Sequence, residues 1–152
     1  MNKKVIVGII LGTILITSIA GILNINPVTY SEKIKDIERR HELALDVIDN
    51  ASVSWQRGAI SDVQFIAVID QSIIETDNLQ REYLSLNLPS TYDKYKRLSI
   101  DSLVKQKEAF LKLKEYVQTE DIEARQLIRA EFDQLITTSF EYRRDALREL
   151  DQ

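Results

Sequence analysis

YSEKIKDIERRHELALDVIDNASVSW, residues 30–55, repeats its apolar and aromatic side chains in steps of four and three: Tyr30, Ile34, Ile37, His41, Ala44, Ile48, Ala51 and Trp55. A step averaging 3.5 residues keeps one face of an α-helix turned toward its neighbours at a shallow crossing angle, as in a coiled coil. Asn26-Pro27 ends the segment before it, Thr29-Tyr30-Ser31-Glu32 opens it as a capping box, and Gly58 is a natural stop.

Outward from this helix the rest of the chain reads the same way. Ser61-Asp62-Val63-Gln64 is a second capping box, and the helix it opens turns Phe65, Ile66, Ile69, Ile73, Leu79 and Tyr83 to one side before the turn Asn87-Leu88-Pro89. Ser90-Thr91-Tyr92-Asp93 begins a third helix with Tyr92, Leu103, Phe110, Leu113 and Val117 on its apolar face. Thr119 is the expected cap of a fourth, with Glu120, Asp121 and Glu123 at the positive end of its dipole and Ile128, Phe132, Leu135, Tyr142 and Ala146 facing inward. Short connections between long helices force antiparallel neighbours. The sequence therefore predicts an all-α fold, with an up-down-up-down four-helix bundle over residues 26–152.

Composition agrees. Of 152 residues, 44% are hydrophobic and 29% charged, with four Gly and two Pro, a balance that favours helices. The absence of cysteine excludes a disulfide framework, thiolate metal sites, a cysteine nucleophile and a cysteine-linked lipid anchor. A net charge of −4 leaves no basic footprint, so nucleic acid is not an expected partner. The third helix is nonetheless basic: residues 89–119 hold seven Lys or Arg against four acids, between acidic second and fourth helices. That alternation supports antiparallel pairing within the bundle.

Ahead of the bundle, Met1-Asn2-Lys3-Lys4 precedes VIVGIILGTILITSIAGILNI, an uncharged run over residues 5–25. At about 1.5 Å per residue such a run just spans a bilayer core. Residues 1–4 read as a short basic cytoplasmic tail, 5–25 as a transmembrane signal anchor contacting lipid, and 26–152 as an extracytoplasmic domain. The alternative is a secreted protein cleaved near Ala20, after the small-residue pattern Ser18-Ile19-Ala20. Gly8 and Gly12 form a G-x-x-x-G spacing, the pattern of a seam between membrane helices.

Signatures of chemistry are sparse. Glu38 and His41 have the Glu-x-x-His spacing of di-iron bundles, but such a site needs two of these motifs and the chain holds one histidine. His41 sits inside the apolar repeat and reads as a polar core residue, partnered by a carboxylate such as Glu75 or Glu131. No catalytic, cofactor-binding or metal-ligating residue is assigned, and no enzyme activity is expected. Trp55, Tyr83 and Tyr92 lie near helix ends and are the candidates for a ligand pocket there, or for core packing.

In outline, a basic tail, one apolar helix and an extracytoplasmic four-helix bundle resemble the sensing half of a bacterial or archaeal chemoreceptor or sensor kinase. The sequence shows no second apolar segment or cytoplasmic output after Leu150, so the expectation is that the bundle does not relay a signal alone. Two functions remain. One is a non-enzymatic, membrane-anchored interaction module or accessory subunit, meeting a protein partner or forming a homo-oligomer. The other is a sensor-like domain that binds a small ligand.

Overall fold

The computed structural model describes residues 30–150. The proposed tail, the segment 5–25 with Gly8 and Gly12, and Thr29 of the first capping box all lie outside the described residues. Within them the chain forms four helices: α1 (Tyr30–Gln56), α2 (Asp62–Ser85), α3 (Asp93–Gln118) and α4 (Ile122–Leu150), with a 3-10 turn at Ser90–Tyr92. No strand occurs among the described residues. None of these helices is long and apolar enough to cross a membrane.

Each boundary has a local cause. Gly58 takes φ +70°, and the amides of Gly58 and Ala59 bond the carbonyls of Trp55 and Ser54, closing α1 with a Schellman motif. At the start of α2 the Ser61 hydroxyl accepts from the Gln64 amide, and the Gln64 side chain accepts from the Ser61 amide. This is the expected capping box. The last turn of α2 has no basic residue of its own, and Lys96 of α3 supplies one by donating to the Leu84 and Leu86 carbonyls. The cap of α4 differs from the sequence expectation. Asp121 accepts from the Ala124 amide there, while Thr119 ends α3. A carboxylate in the cap position also meets the helix dipole, which a threonine hydroxyl cannot.

Contacts along neighbouring helices show that they run antiparallel. Tyr83 reaches Glu38 near one end of the α1–α2 pair, while Trp55 bonds Asp62 at the other. Lys114 pairs with Asp70 and Lys107 with Asp77 between α3 and α2, and Lys112 pairs with Glu131 and Lys94 with Glu149 between α3 and α4. The basic third helix is thus bridged to acidic helices on both sides. Pairs this exposed select neighbours more than they stabilise.

The interior divides into two apolar clusters. One holds Ile34, Ile37, Leu79, Tyr83, Tyr95, Leu103 and Ala146, with Tyr92 packed beside it. The other holds Leu45, Ile48, Phe65, Ile69, Phe110, Leu113 and Val117, flanked by Trp55, Tyr116, Phe132 and Ile136. Between them lie the buried polar residues His41, Thr76, Ser102, Gln106 and Ser139. Helix α4 is the least covered, contributing only Ile128, Ser139 and Ala146 as buried residues. Leu135 and Tyr142, expected inward, are only half-buried.

A methyl group added at Gly58 meets nothing within 4 Å, so only its backbone angle resists substitution. Gly58→Ala is therefore expected to lower unfolding stability by about 1–2 kcal/mol, the left-handed penalty. Urea denaturation of the full chain in mild detergent checks this. An unchanged or raised midpoint contradicts it.

Candidate functional site

Two features stand out from the packing: a polar centre inside the bundle and an open apolar groove on its surface.

The polar centre begins with Glu38, whose side chain is only 14% exposed. Its Oε1 accepts from the hydroxyls of Tyr83 and Tyr95, at 2.7 and 2.8 Å, and the two hydroxyls are themselves 2.8 Å apart. Its Oε2 accepts from Arg143 Nε at 3.4 Å. One carboxylate on α1 thereby holds a donor from α2, one from α3 and one from α4. Burial, reinforced by the charge of Glu38, pushes both tyrosine hydroxyls well above their ordinary range, so they remain protonated donors.

One turn further along α1, His41 Nε2 lies 2.6 Å from Gln106 Oε1. An amide oxygen only accepts, so Nε2 carries the hydrogen. Gln106 Nε2 in turn donates to Thr76 Oγ1 at 3.3 Å, and the Thr76 hydroxyl donates to the Ser72 carbonyl at 2.8 Å. A single direction of donation runs through the chain. Ser102 and Ser139 exchange hydrogen bonds with each other's carbonyls across the α3–α4 contact, both at 2.9 Å. His41 is buried, and its partner is the amide of Gln106 rather than Glu75 or Glu131. A neutral partner suits a neutral imidazole. Burial holds His41 below its ordinary value of 6.5, partly offset by the Gln106 bond; Arg143 adds to the lowering and Glu38 opposes it.

The Glu-x-x-His pair is accounted for by these contacts. Both carboxylate oxygens of Glu38 and the Nε2 of His41 face hydrogen-bond partners. Among the described residues, no three His, Cys, Asp or Glu side chains come together as ligands.

The groove lies between α1 and α4, the pair of neighbouring helices that approach least closely. It measures about 570 Å³ and is floored by Leu45, Ile48, Phe110, Leu113, Phe132 and Ile136. Trp55 and Tyr116 close its far end, where Trp55 stacks on Phe65 at 5.0 Å and meets Tyr116 edge-on at 6.2 Å. Asp49 lines the α1 wall and Arg129 the α4 wall. Burial, then Asp46, raises the Asp49 carboxyl above its usual value. Beyond the groove the α4 surface continues through Phe140, 46% exposed, and Leu147, with Arg143, Arg144 and Arg148 around them.

The three aromatics singled out by sequence are not brought together. Trp55 stands at the α1–α2 turn and lines the groove, whereas Tyr83 is buried at the opposite end and Tyr92 is half-buried there. In an antiparallel bundle the ends of α1 and α2 alternate, so nearness to a helix terminus does not mean nearness to the same end. Sequence reasoning missed Gln106, Thr76, Ser102 and Ser139, although each occupies a core position of its helix. No family model, curated protein or solved structure matches the chain.

The state of His41 makes stability depend on pH. With a native value below 6.5, the unfolded chain takes up the His41 proton first as pH falls, so stability is full above about pH 6.5 and declines below it until the native imidazole also protonates. His41→Leu should remove that decline yet cost about 1–3 kcal/mol at pH 7, because Gln106 Oε1 is left buried without a donor. Denaturation curves from pH 7.5 to 5 read both effects. A leucine variant as stable as the parent at pH 7, with the same pH slope, contradicts the assignment.

Proposed function

We propose that the protein is a non-enzymatic, membrane-anchored helical interaction module that presents the α1–α4 face to another polypeptide. The observation that carries this reading is the open groove continuous with Phe140 and Leu147. Its floor is apolar, its walls carry opposite charges, and its width is that left by two helices standing apart. An amphipathic helix fits such a trough, with apolar anchors one turn apart along its floor. Glu38, Tyr83, Tyr95 and Arg143, like His41, Gln106 and Thr76, are committed to one another and serve the scaffold.

Residues 5–25 supply the anchor in this proposal, with Lys3 and Lys4 on the cytoplasmic side and the bundle outside. A membrane tether confines both partners to two dimensions and raises their effective concentration, so a modest contact area suffices. A second reading, a sensor-like domain for a small ligand, is favoured by the aromatic end of the same groove, where Trp55, Tyr116 and Phe110 converge. The groove is open along its length, which suits an extended partner better than a small molecule that must be enclosed on most sides.

Affinity capture of tagged full-length protein from membranes in mild detergent tests the proposal. A stoichiometric protein partner, which includes another copy of this chain, is expected. Phe140→Asp with Leu147→Asp should reduce its recovery at least tenfold without changing helicity, since both side chains are solvent-facing. Purification of the parent as a monomer free of partners overturns the proposal.

A further inference from the structure

Taking the α1–α4 face as the binding surface, we infer that its occupant is a second copy of this chain, related by a two-fold axis running along the bundle. The charge pattern of the face carries the assignment. On α1, Glu42, Asp46 and Asp49 recur in steps of four and three and form one strip beside the groove. None of the three makes an ion pair among the described residues. On α4, Arg125, Arg129 and Arg144 accompany the apolar line Ile122, Ile136, Phe140 and Leu147, while Arg143 is taken up by Glu38 of its own copy. One wall of the face is acidic and the other basic, with apolar surface between.

Two face-to-face arrangements of identical copies obey a two-fold axis in the plane of contact. An axis across the helices lays α1 on α1 and α4 on α4, setting acid strip against acid strip and arginine against arginine. An axis along the helices lays α1 of each copy on α4 of the other. Acid then meets base twice, and like charges facing each other cost the first arrangement what opposite charges gain the second. The apolar lines of both copies meet in the middle.

Heights along the bundle agree. Glu38 is level with Arg143 within one copy, through their hydrogen bond. An axis along the bundle preserves height, so Asp49 faces the level of the partner's Phe132 and Glu42 that of its Ser139. Arg129 then stands three residues, about 4.5 Å, from the level of Asp49, and Arg144 five residues, about 7.5 Å, from that of Glu42. An arginine side chain covers those offsets. In its own copy Arg129 pairs with Asp133 and lies over the Phe132 ring, and Arg144 pairs with Asp145; both ion pairs are exposed and exchange at little cost.

The proposed anchor, residues 5–25, adds a second argument. The axis along the bundle puts Tyr30 of both copies at the same end, so both preceding segments enter one bilayer. The axis across the helices sends them to opposite ends, which two anchored chains in one membrane cannot adopt.

The test uses full-length chains carrying two different tags, co-expressed and captured in mild detergent. Glu42→Lys with Asp49→Lys makes an acid-reversed chain, and Arg129→Glu with Arg144→Glu makes a base-reversed one. The parent is expected to capture itself, each reversed chain to lose self-capture at least tenfold, and a mixture of the two reversed chains to recover it. Circular dichroism checks that both variants keep the parent's helicity. Self-capture undiminished in both variants, or absent recovery in the mixture, overturns the inference. A parent that captures no second copy but retains another protein, lost with Phe140→Asp, overturns the self-pairing while leaving the interaction module standing. A parent that captures neither removes both.

Discussion

The carboxylate of Glu38 is the point on which the arrangement of the four helices depends. Removing a charged group from water costs several kcal/mol, and the interior repays this only when donors surround it. Here the donors are Tyr83, Tyr95 and Arg143, one from each of the other helices. Sliding any helix by one heptad, about 10 Å, withdraws its donor and leaves a buried charge short of a partner. Apolar contacts alone tolerate such a slip, because one leucine replaces another along a regular face. The carboxylate does not.

The layer beyond Glu38 extends the same constraint. His41, Gln106 and Thr76 form a directional chain, and Ser102 and Ser139 tie α3 to α4 at the same depth. These groups separate the two apolar clusters and give each helix one recognisable level. They also relate scaffold to surface. The Glu38–Arg143 bond links α1 to α4 near one end of the bundle, and toward the other end the two helices stand apart with Leu45, Ile48, Phe132 and Ile136 between them. The polar centre fixes where the groove begins and which residues of α1 and α4 share a height.

Much of the fold was legible because helix periodicity and capping are local properties. The 3.5-residue repeat of α1, the capping box at Ser61 and the stop at Gly58 needed no tertiary information. The polar core was harder to read for a physical reason. Ser72 and Thr76 continue the spacing of Phe65, Ile69, Leu79 and Tyr83, and Ser99, Ser102 and Gln106 continue that of Tyr95, Leu113 and Val117. A reading that follows apolar residues steps over them, although their positions belong to the same face. Glu38 was noticed for its spacing to His41, yet the donors that define its role lie 45, 57 and 105 residues away in sequence. The groove was least legible of all. It arises from the distance between α1 and α4, and the amphipathic pattern of each helix is the same whether a neighbour is close or standing off.

The most direct measurement is the unfolding free energy of Glu38→Ala beside Glu38→Gln, by chemical denaturation of the full chain at pH 7. Alanine removes every acceptor and strands Arg143, and it should cost about 3 kcal/mol or more, whereas glutamine keeps one acceptor oxygen and should cost distinctly less. An alanine variant within about 0.5 kcal/mol of the parent, the range of an ordinary surface change, would show that the carboxylate does not hold the helices in place.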